Sequence, residues 1–60
     1  MNNMEVKEGT RRTLEYMPFD KMFNVDGNEE LCHSTGEEVY LNGEWWNEYV
    51  STDGGTHYGR

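Results

Sequence analysis

Apolar and polar residues alternate over short stretches of this chain, and turn residues separate those stretches. A period of two residues is typical of β-strands, because successive side chains of a strand point to opposite faces. The clearest case is at residues 37–50, where two β-prone segments flank Asn42-Gly43. Asn-Gly is the strongest short hairpin signal, since a type I′ turn needs positive φ at both central residues. We therefore predict a hairpin of residues 37–41 and 44–50.

Two segments before this hairpin carry weaker patterns. Residues 11–17 alternate between the two faces and predict a further strand. In residues 18–24, Phe19, Met22 and Phe23 stand at positions i, i+3 and i+4, which is the spacing of one helix face. The same residues also suit a short strand. The segment is therefore either a single helical turn or a short strand.

Clusters of Gly, Asn, Asp and Ser predict turns elsewhere in the chain. These turns lie at residues 26–28, 34–36 and 51–55. They separate a short strand at residues 29–33 and a last strand or tail at residues 56–58. Short strands with frequent turns predict a mostly β fold, namely a small antiparallel sheet or barrel-like meander with at most one short helix.

The chain has 60 residues, which suits one small domain with a marginal core. We predict a loosely ordered N-terminal arm at residues 1–10, with an edge strand through Met4 and Val6 as the alternative, and a single small β domain at residues 11–60. Cys32 is the only cysteine, so no disulfide can form within the chain, and we expect a reducing, cytoplasmic location. We expect neither a signal peptide nor a membrane span.

The two-residue turn fixes the pairing of the hairpin strands. Five cross-strand pairs follow, namely Leu41–Glu44, Tyr40–Trp45, Val39–Trp46, Glu38–Asn47 and Glu37–Glu48. The last pair opposes two like charges, which is mildly repulsive. One face of the hairpin then carries Val39, Leu41, Trp46, Glu37, Glu44 and Glu48, and the other carries Glu38, Tyr40, Trp45 and Tyr49.

Both faces of this hairpin hold aromatic side chains, and a sheet of this size can hardly cover both. We predict that one face joins the core, which then consists of Val39, Leu41 and Trp46 with Leu14, Phe23 and Leu31. Tyr40, Trp45 and Tyr49 would form a contact surface, because Trp and Tyr are enriched in interface hot spots. In the alternative, all the aromatic residues pack inside one wrapped barrel.

Charge is distributed unevenly along the chain. The formal net charge is −7, and the stretch between Met22 and Gly59 has eight carboxylates without any Lys or Arg. Phosphates and anionic membranes would repel such a chain, whereas a basic protein surface would attract it. The simpler interpretation is that the acidic residues only keep the protein soluble.

Few residues suggest catalysis or metal binding. Cys32, His33 and His57 lack the spacing of a zinc site, and adjacent strand residues point to opposite faces. Cys32 is also a poor nucleophile, because thiolates form in cationic surroundings and its neighbours are acidic. We therefore expect no enzymatic activity, no cofactor and no metal, with a small metal-binding domain as the weakest alternative.

A short fragment resembles part of a known family. Trp45-Trp46-Asn47, followed by Asp53-Gly54, resembles the paired tryptophans and distal turn of SH3 domains. The opening Ala-Leu-Tyr-Asp-Tyr-type segment and the closing Gly-Tyr-Ile-Pro segment of those domains are missing. The resemblance implies a small barrel-like sheet, and no binding residue is carried over from it.

Together these patterns predict a small acidic, non-enzymatic protein that binds a basic protein surface and inhibits or modulates the protein that carries it. A nucleic-acid-processing enzyme is the natural target, because its cationic groove receives spaced negative charges. The chain would act as a nucleic-acid mimic, as phage-encoded inhibitors of similar size and charge do, without contacting nucleic acid or membrane. The predicted contact residues are Tyr40, Trp45, Tyr49, Glu37, Glu38, Glu44 and Glu48. The alternative is a structural or assembly subunit that self-associates through an exposed aromatic face.

Overall fold

The computed structural model describes residues 5–60, which form five strands and no helix. The strands are β1 (Arg11–Thr13), β2 (Lys21–Val25), β3 (Asn28–Leu41), β4 (Glu44–Val50) and β5 (Thr56–Gly59). All the strand pairs are antiparallel. The prediction of a mostly β protein with a small antiparallel sheet is confirmed, and the sheet is not closed into a barrel.

The 14-residue strand β3 is the centre of the fold. Its C-terminal half lies between β1 and β4, and β5 extends the sheet beyond β4. Its N-terminal half pairs with β2 instead. The β2–β3 ribbon is therefore a second, two-stranded part of the structure, joined to the main sheet by the continuous backbone of β3.

Two tight turns close the hairpins, and both follow from local sequence. Asn42 and Gly43 have φ values of 52° and 79°, as a type I′ turn requires. Asp26 and Gly27 have φ values of 52° and 86°, and they close the β2–β3 ribbon in the same way. The predicted hairpin is confirmed, with four of its cross-strand pairs: Leu41–Glu44, Tyr40–Trp45, Val39–Trp46 and Glu38–Asn47.

The fifth predicted pair, Glu37–Glu48, is wrong, because the register shifts between Ser34 and Glu38. This irregularity in β3 lies where the sequence predicts a turn at residues 34–36. The strand passes through it without reversing, and Gly36 adopts a φ of 87° that glycine tolerates without strain. A bulge of this kind bends the strand and increases its twist.

The shorter predicted elements differ from the structure at their ends. The strand predicted at residues 11–17 ends at Thr13. Residues 18–24 form no helical turn, and the strand alternative holds for β2, which covers Lys21–Val25. The last predicted segment is a strand rather than a tail, β5.

The core lies mainly on the Tyr49 side of the sheet. Tyr49 is only 2% exposed, and Cys32 is fully buried. The ring of Phe23 lies 5.2 Å from that of Tyr49 and 5.2 Å from that of His57, measured between centroids. Gly59 permits this packing, since an added Cβ would lie 3.0 Å from the tip of Phe23. The β2–β3 ribbon therefore packs across β4 and β5.

The structure changes most of the predictions about which residues form the core. Val39 is buried as predicted, whereas Leu41, Trp46, Leu14 and Phe23 are half-buried. Leu31 is 50% exposed, because its neighbour Cys32 takes the inward position of β3. Tyr49 is a core residue rather than part of an exposed surface, because Phe23 covers it.

The residues before β1 continue its contact with β3. The backbone N–H of Gly9 donates to the carbonyl of Tyr40 at 2.8 Å, and the N–H of Tyr40 donates to the carbonyl of Thr10 at 2.9 Å. The division of the chain at residue 10 stays a prediction. The suggested edge strand at Met4 lies outside the described residues.

Candidate functional site

Three arginine side chains form ion pairs with the four acidic residues that the sequence places on the contact surface. We call Glu37, Glu38, Glu44 and Glu48 the hairpin acids. Arg11 binds two of them, Glu37 at 2.8 Å and Glu48 at 2.7 Å. Arg12 binds Glu38 at 2.6 Å, and Arg60 binds Glu44. Arg11 therefore brings Glu37 and Glu48 together, whereas Glu38 and Glu44 are paired separately, and each hairpin acid already contacts a cation of the same chain.

Glu48 is the most deeply embedded of the hairpin acids, at 5% exposure. Both of its oxygens accept hydrogen bonds from Arg11, at 2.9 and 2.7 Å. The hydroxyls of Thr35 and Tyr58 donate to it at 3.0 and 3.3 Å. The Arg11 hydrogen bonds hold the pKa of Glu48 below its ordinary value, against the opposing effect of burial. Burial and the Glu48 charge in turn raise the pKa of Tyr58.

This network also relieves the electrostatic repulsion between Glu37 and Glu48. Glu37 lies opposite Thr13 in the register with β1. Arg11, two residues earlier on β1, reaches both Glu37 and Glu48. The glutamates raise the pKa of Arg11 through these hydrogen bonds. The repulsion expected between two acids is thus relieved within the chain and needs no partner.

The predicted aromatic contact residues are largely covered as well. The guanidinium carbon of Arg12 lies 3.7 Å from the centroid of the Trp45 ring. Tyr40 and Trp45 contact each other edge to face, with centroids 5.3 Å apart, and both are half-buried. Tyr49, the third member, is in the core. Arg12 therefore covers Trp45 with the same side chain that binds Glu38.

The large uncovered apolar side chains lie elsewhere, mainly in the β1–β2 connection and on the ribbon. Phe19 is 95% and Tyr16 is 82% exposed. Met22 and Leu31 are direct cross-strand partners on β2 and β3, and both are about half exposed. We call this set the ribbon surface: Tyr16, Met17, Phe19, Met22 and Leu31. Sequence reasoning missed it as a surface because it assigned these apolar residues to strands or to a helix face.

The unpaired negative charge concentrates around the ribbon surface. Residues 14–33 hold five carboxylates against a single lysine, which is a formal charge of −4. Within the described part of the chain, four of these carboxylates make no ion pair: Glu15, Asp26, Glu29 and Glu30. The fifth, Asp20, lies 3.0 Å from Nδ1 of His33. More than half of the net charge of the protein thus lies near its most exposed apolar residues.

A cleft adjoins this surface at the start of the β1–β2 connection. It has a volume of about 520 Å³ and lies among Arg12, Tyr16, Pro18, Glu38 and Asn47. Tyr16, a member of the ribbon surface, therefore also lines this cleft. A side chain of a binding partner could enter it beside an aromatic ring and two charged groups.

Within residues 5–60, the side chains considered for metal binding and catalysis have the following surroundings. Residues 5–60 contain no group of three His, Cys, Asp or Glu side chains placed to hold a metal ion. Burial, together with the charges of Glu30 and Asp53, raises the pKa of the Cys32 thiol. Asp53 accepts hydrogen bonds from the Ser51 hydroxyl and the Gly55 amide, which lower its pKa and shape the β4–β5 turn. These residues therefore have evident structural roles.

Comparison with known proteins gives no assignment. No protein-family model matches the chain, and no curated protein or solved structure matches it. Residues 5–60 contain no helix long and apolar enough to cross a membrane. The function is therefore argued from the geometry and charge of the ribbon surface.

Proposed function

We propose that this protein is a non-enzymatic binding protein that docks on a basic surface of another protein and inhibits or modulates it. The observation that carries the proposal is the ribbon surface, where strongly exposed apolar side chains adjoin carboxylates without internal cations. Contiguous exposed apolar residues with a polar rim are typical of protein interaction sites. The contact surface we propose is therefore the ribbon surface rather than the Tyr40–Trp45 cluster.

The two components of this surface would have different roles in binding. Burial of Phe19 and Tyr16 would supply much of the affinity, since aromatic side chains dominate interface energetics. The unpaired carboxylates would attract a cationic partner and speed association, as charge complementarity generally does. They would also select against acidic partners. A surface with these properties is matched to a basic groove that has apolar pockets.

A nucleic-acid-processing enzyme remains the partner class that we favour. The groove of such an enzyme is positively charged because it receives phosphates. The net charge of −7 on 60 residues supports competition for such a groove in the manner of a nucleic-acid mimic, as in phage-type inhibitors. The proposed location is the cytoplasm, where such enzymes act and where a single reduced Cys32 is compatible with its surroundings.

The test is a binding measurement on variants that separate the two surfaces. An affinity pull-down from the native host, washed at graded salt, supplies candidate partners, and each is then purified and titrated. Replacing Tyr16 and Phe19 together by Ser should weaken binding at least tenfold. Glu29→Gln with Glu30→Gln should slow association, chiefly at low salt. The control is Glu37→Gln, an acid outside the ribbon surface that already has Arg11 as partner. Unchanged affinity of the Tyr16/Phe19 variant for every basic partner would refute the proposal.

Self-association is the second candidate, and one observation favours it. The exposed Met22–Leu31 pair would gain burial against a second copy of the same ribbon. The charges oppose it, because a symmetric contact would bring Asp26, Glu29 and Glu30 of two chains close together. Sedimentation at several concentrations separates the candidates. A monomer at the highest concentration would exclude the assembly subunit.

A further inference from the structure

A second cation-binding arrangement lies at the far end of the β3–β4 hairpin, away from the ribbon surface. The guanidinium carbon of Arg60 lies 4.4 Å from the centroid of the Trp46 ring, and the same side chain binds Glu44. Trp46 also forms one wall of a cavity of about 230 Å³, which Leu41, Asn42 and Tyr58 complete. An aromatic wall, a carboxylate and an adjoining cavity are thus collected at one point.

The parts of this arrangement that would receive a ligand are fixed by the sheet. Glu44 and Trp46 are two residues apart on β4, so their side chains lie on the same face. The indole Nε1 of Trp46 donates to the carbonyl of Leu41 at 3.1 Å, which holds the orientation of the ring. Neither contact depends on Arg60. The Trp46 ring would therefore keep its orientation if Arg60 moved away, and Glu44 would stay beside it on the same face of β4.

Arg60 itself is held less firmly than the arginine on the other tryptophan. Arg12 lies inside β1, where its backbone is in register with Glu38. Arg60 follows the last residue of β5 and lies outside any strand, and its guanidinium carbon is farther from its tryptophan ring, 4.4 Å against 3.7 Å for Arg12. Exposed ion pairs and cation–π contacts are each weak and exchange readily. An incoming cation should therefore replace Arg60 more readily than Arg12.

We propose that Trp46 and Glu44 form a binding site for an arginine side chain of a partner, and that Arg60 occupies this site in the isolated chain as an internal competitor. A planar guanidinium suits the site because it stacks on an aromatic face while donating to a carboxylate, which an ammonium does less well. This inference names a contact for the basic partner proposed above. It can be tested without that partner.

The experiment titrates the protein with N-acetylarginine amide and follows the indole N–H resonances of Trp45 and Trp46 by NMR at constant ionic strength. N-acetyllysine amide is the matched probe. In Arg60→Ala, the arginine probe should shift the Trp46 resonance saturably and leave that of Trp45 nearly unchanged. The wild-type chain should need about threefold more probe for the same shift, the factor expected for an exposed cation–π competitor. Adding Glu44→Gln to Arg60→Ala should weaken the response again.

Two results would overturn the inference. One is the absence of a saturable Trp46 shift in Arg60→Ala, and the other is an equal response to the lysine probe. Because no partner protein is present, a negative result here leaves the proposed function standing. Conversely, failure of the Tyr16/Phe19 variant to lose partner binding would leave this site intact.

Discussion

Glu48 gives the sharpest test of the packing, because it is an almost fully buried charge in a protein with a small core. Replacement by Gln keeps the volume but removes the charge from a group that accepts bonds from Arg11, Thr35 and Tyr58. Hydrogen bonds to charged groups contribute about 1.5–3 kcal/mol, against about 0.5–1.5 kcal/mol for neutral ones. Arg11 is half exposed, so the solvent-screened ion pair adds little. We expect a loss of roughly 1.5 kcal/mol in the free energy of unfolding.

That loss is large for a domain of this size, because a single small core rarely supplies more than about 3–5 kcal/mol. It corresponds to a melting temperature lower by roughly 6–12 °C, measurable by circular dichroism. The matched control is Glu29→Gln, which makes the same change in net charge at an exposed position without an ion pair in the described chain. Its melting temperature should match the wild type. If the two variants melted together, Glu48 would not be the stabilising element that its contacts imply.

Three further predictions follow from individual residues. The folded-state pKa of Glu48 lies below its ordinary value of 4.5, so its contribution to the free energy of unfolding is present above that pH and is lost as the pH falls through the folded pKa. Urea titrations at decreasing pH should therefore show a steeper loss of stability for the wild type than for Glu48→Gln. Gly43→Ala should lower the free energy of unfolding by about 1–2 kcal/mol in the same assay, because alanine is strained at a φ of 79°. No atom crowds the added Cβ, so this backbone strain is the whole effect, and an unchanged urea midpoint would contradict the turn assignment. The buried Cys32 thiol, with its raised pKa, should react with a disulfide reagent only as fast as the chain unfolds, and immediate labelling of the native protein would show that it is accessible.

The hairpins could be predicted from the sequence because their determinants are local. Asn42-Gly43 and Asp26-Gly27 carry the positive φ values that two-residue turns require, whatever surrounds them. A two-residue turn then fixes the neighbouring pairs. This is why the register near the turn is correct as far as Glu38 and fails beyond it.

The core face could not be predicted, because the alternation is equally apolar on both sides of the hairpin. Trp46 lies on one face and Tyr49 on the other, and neither pattern nor propensity ranks them. The choice depends on the side over which the β2–β3 ribbon packs, which places Phe23 on Tyr49 and His57. That packing depends on a glycine at residue 59, far along the chain, which leaves room for the ring.

The contact site expected from the sequence differs from the one proposed from the structure for a related reason, namely that a charge count along the chain ignores what folds over each charge. The stretch after Met22 is acidic in sequence, but Arg11 and Arg12 reach it from β1 and Arg60 from beyond β5. These three side chains form ion pairs with the hairpin acids.

A partner responds to the field that remains after internal pairing, not to the order of residues. Within the described residues, carboxylates without an ion pair are most numerous at residues 14–33, where Lys21 is the one Lys or Arg. The stem of Lys21 lies along Gly59, so even this side chain is partly used to cover β5. The exposed apolar residues Tyr16 and Phe19 lie in this same stretch. The carboxylates and the exposed apolar side chains of residues 14–33 therefore both favour this surface, which is why we place the main contact there and not on the Tyr40–Trp45 cluster.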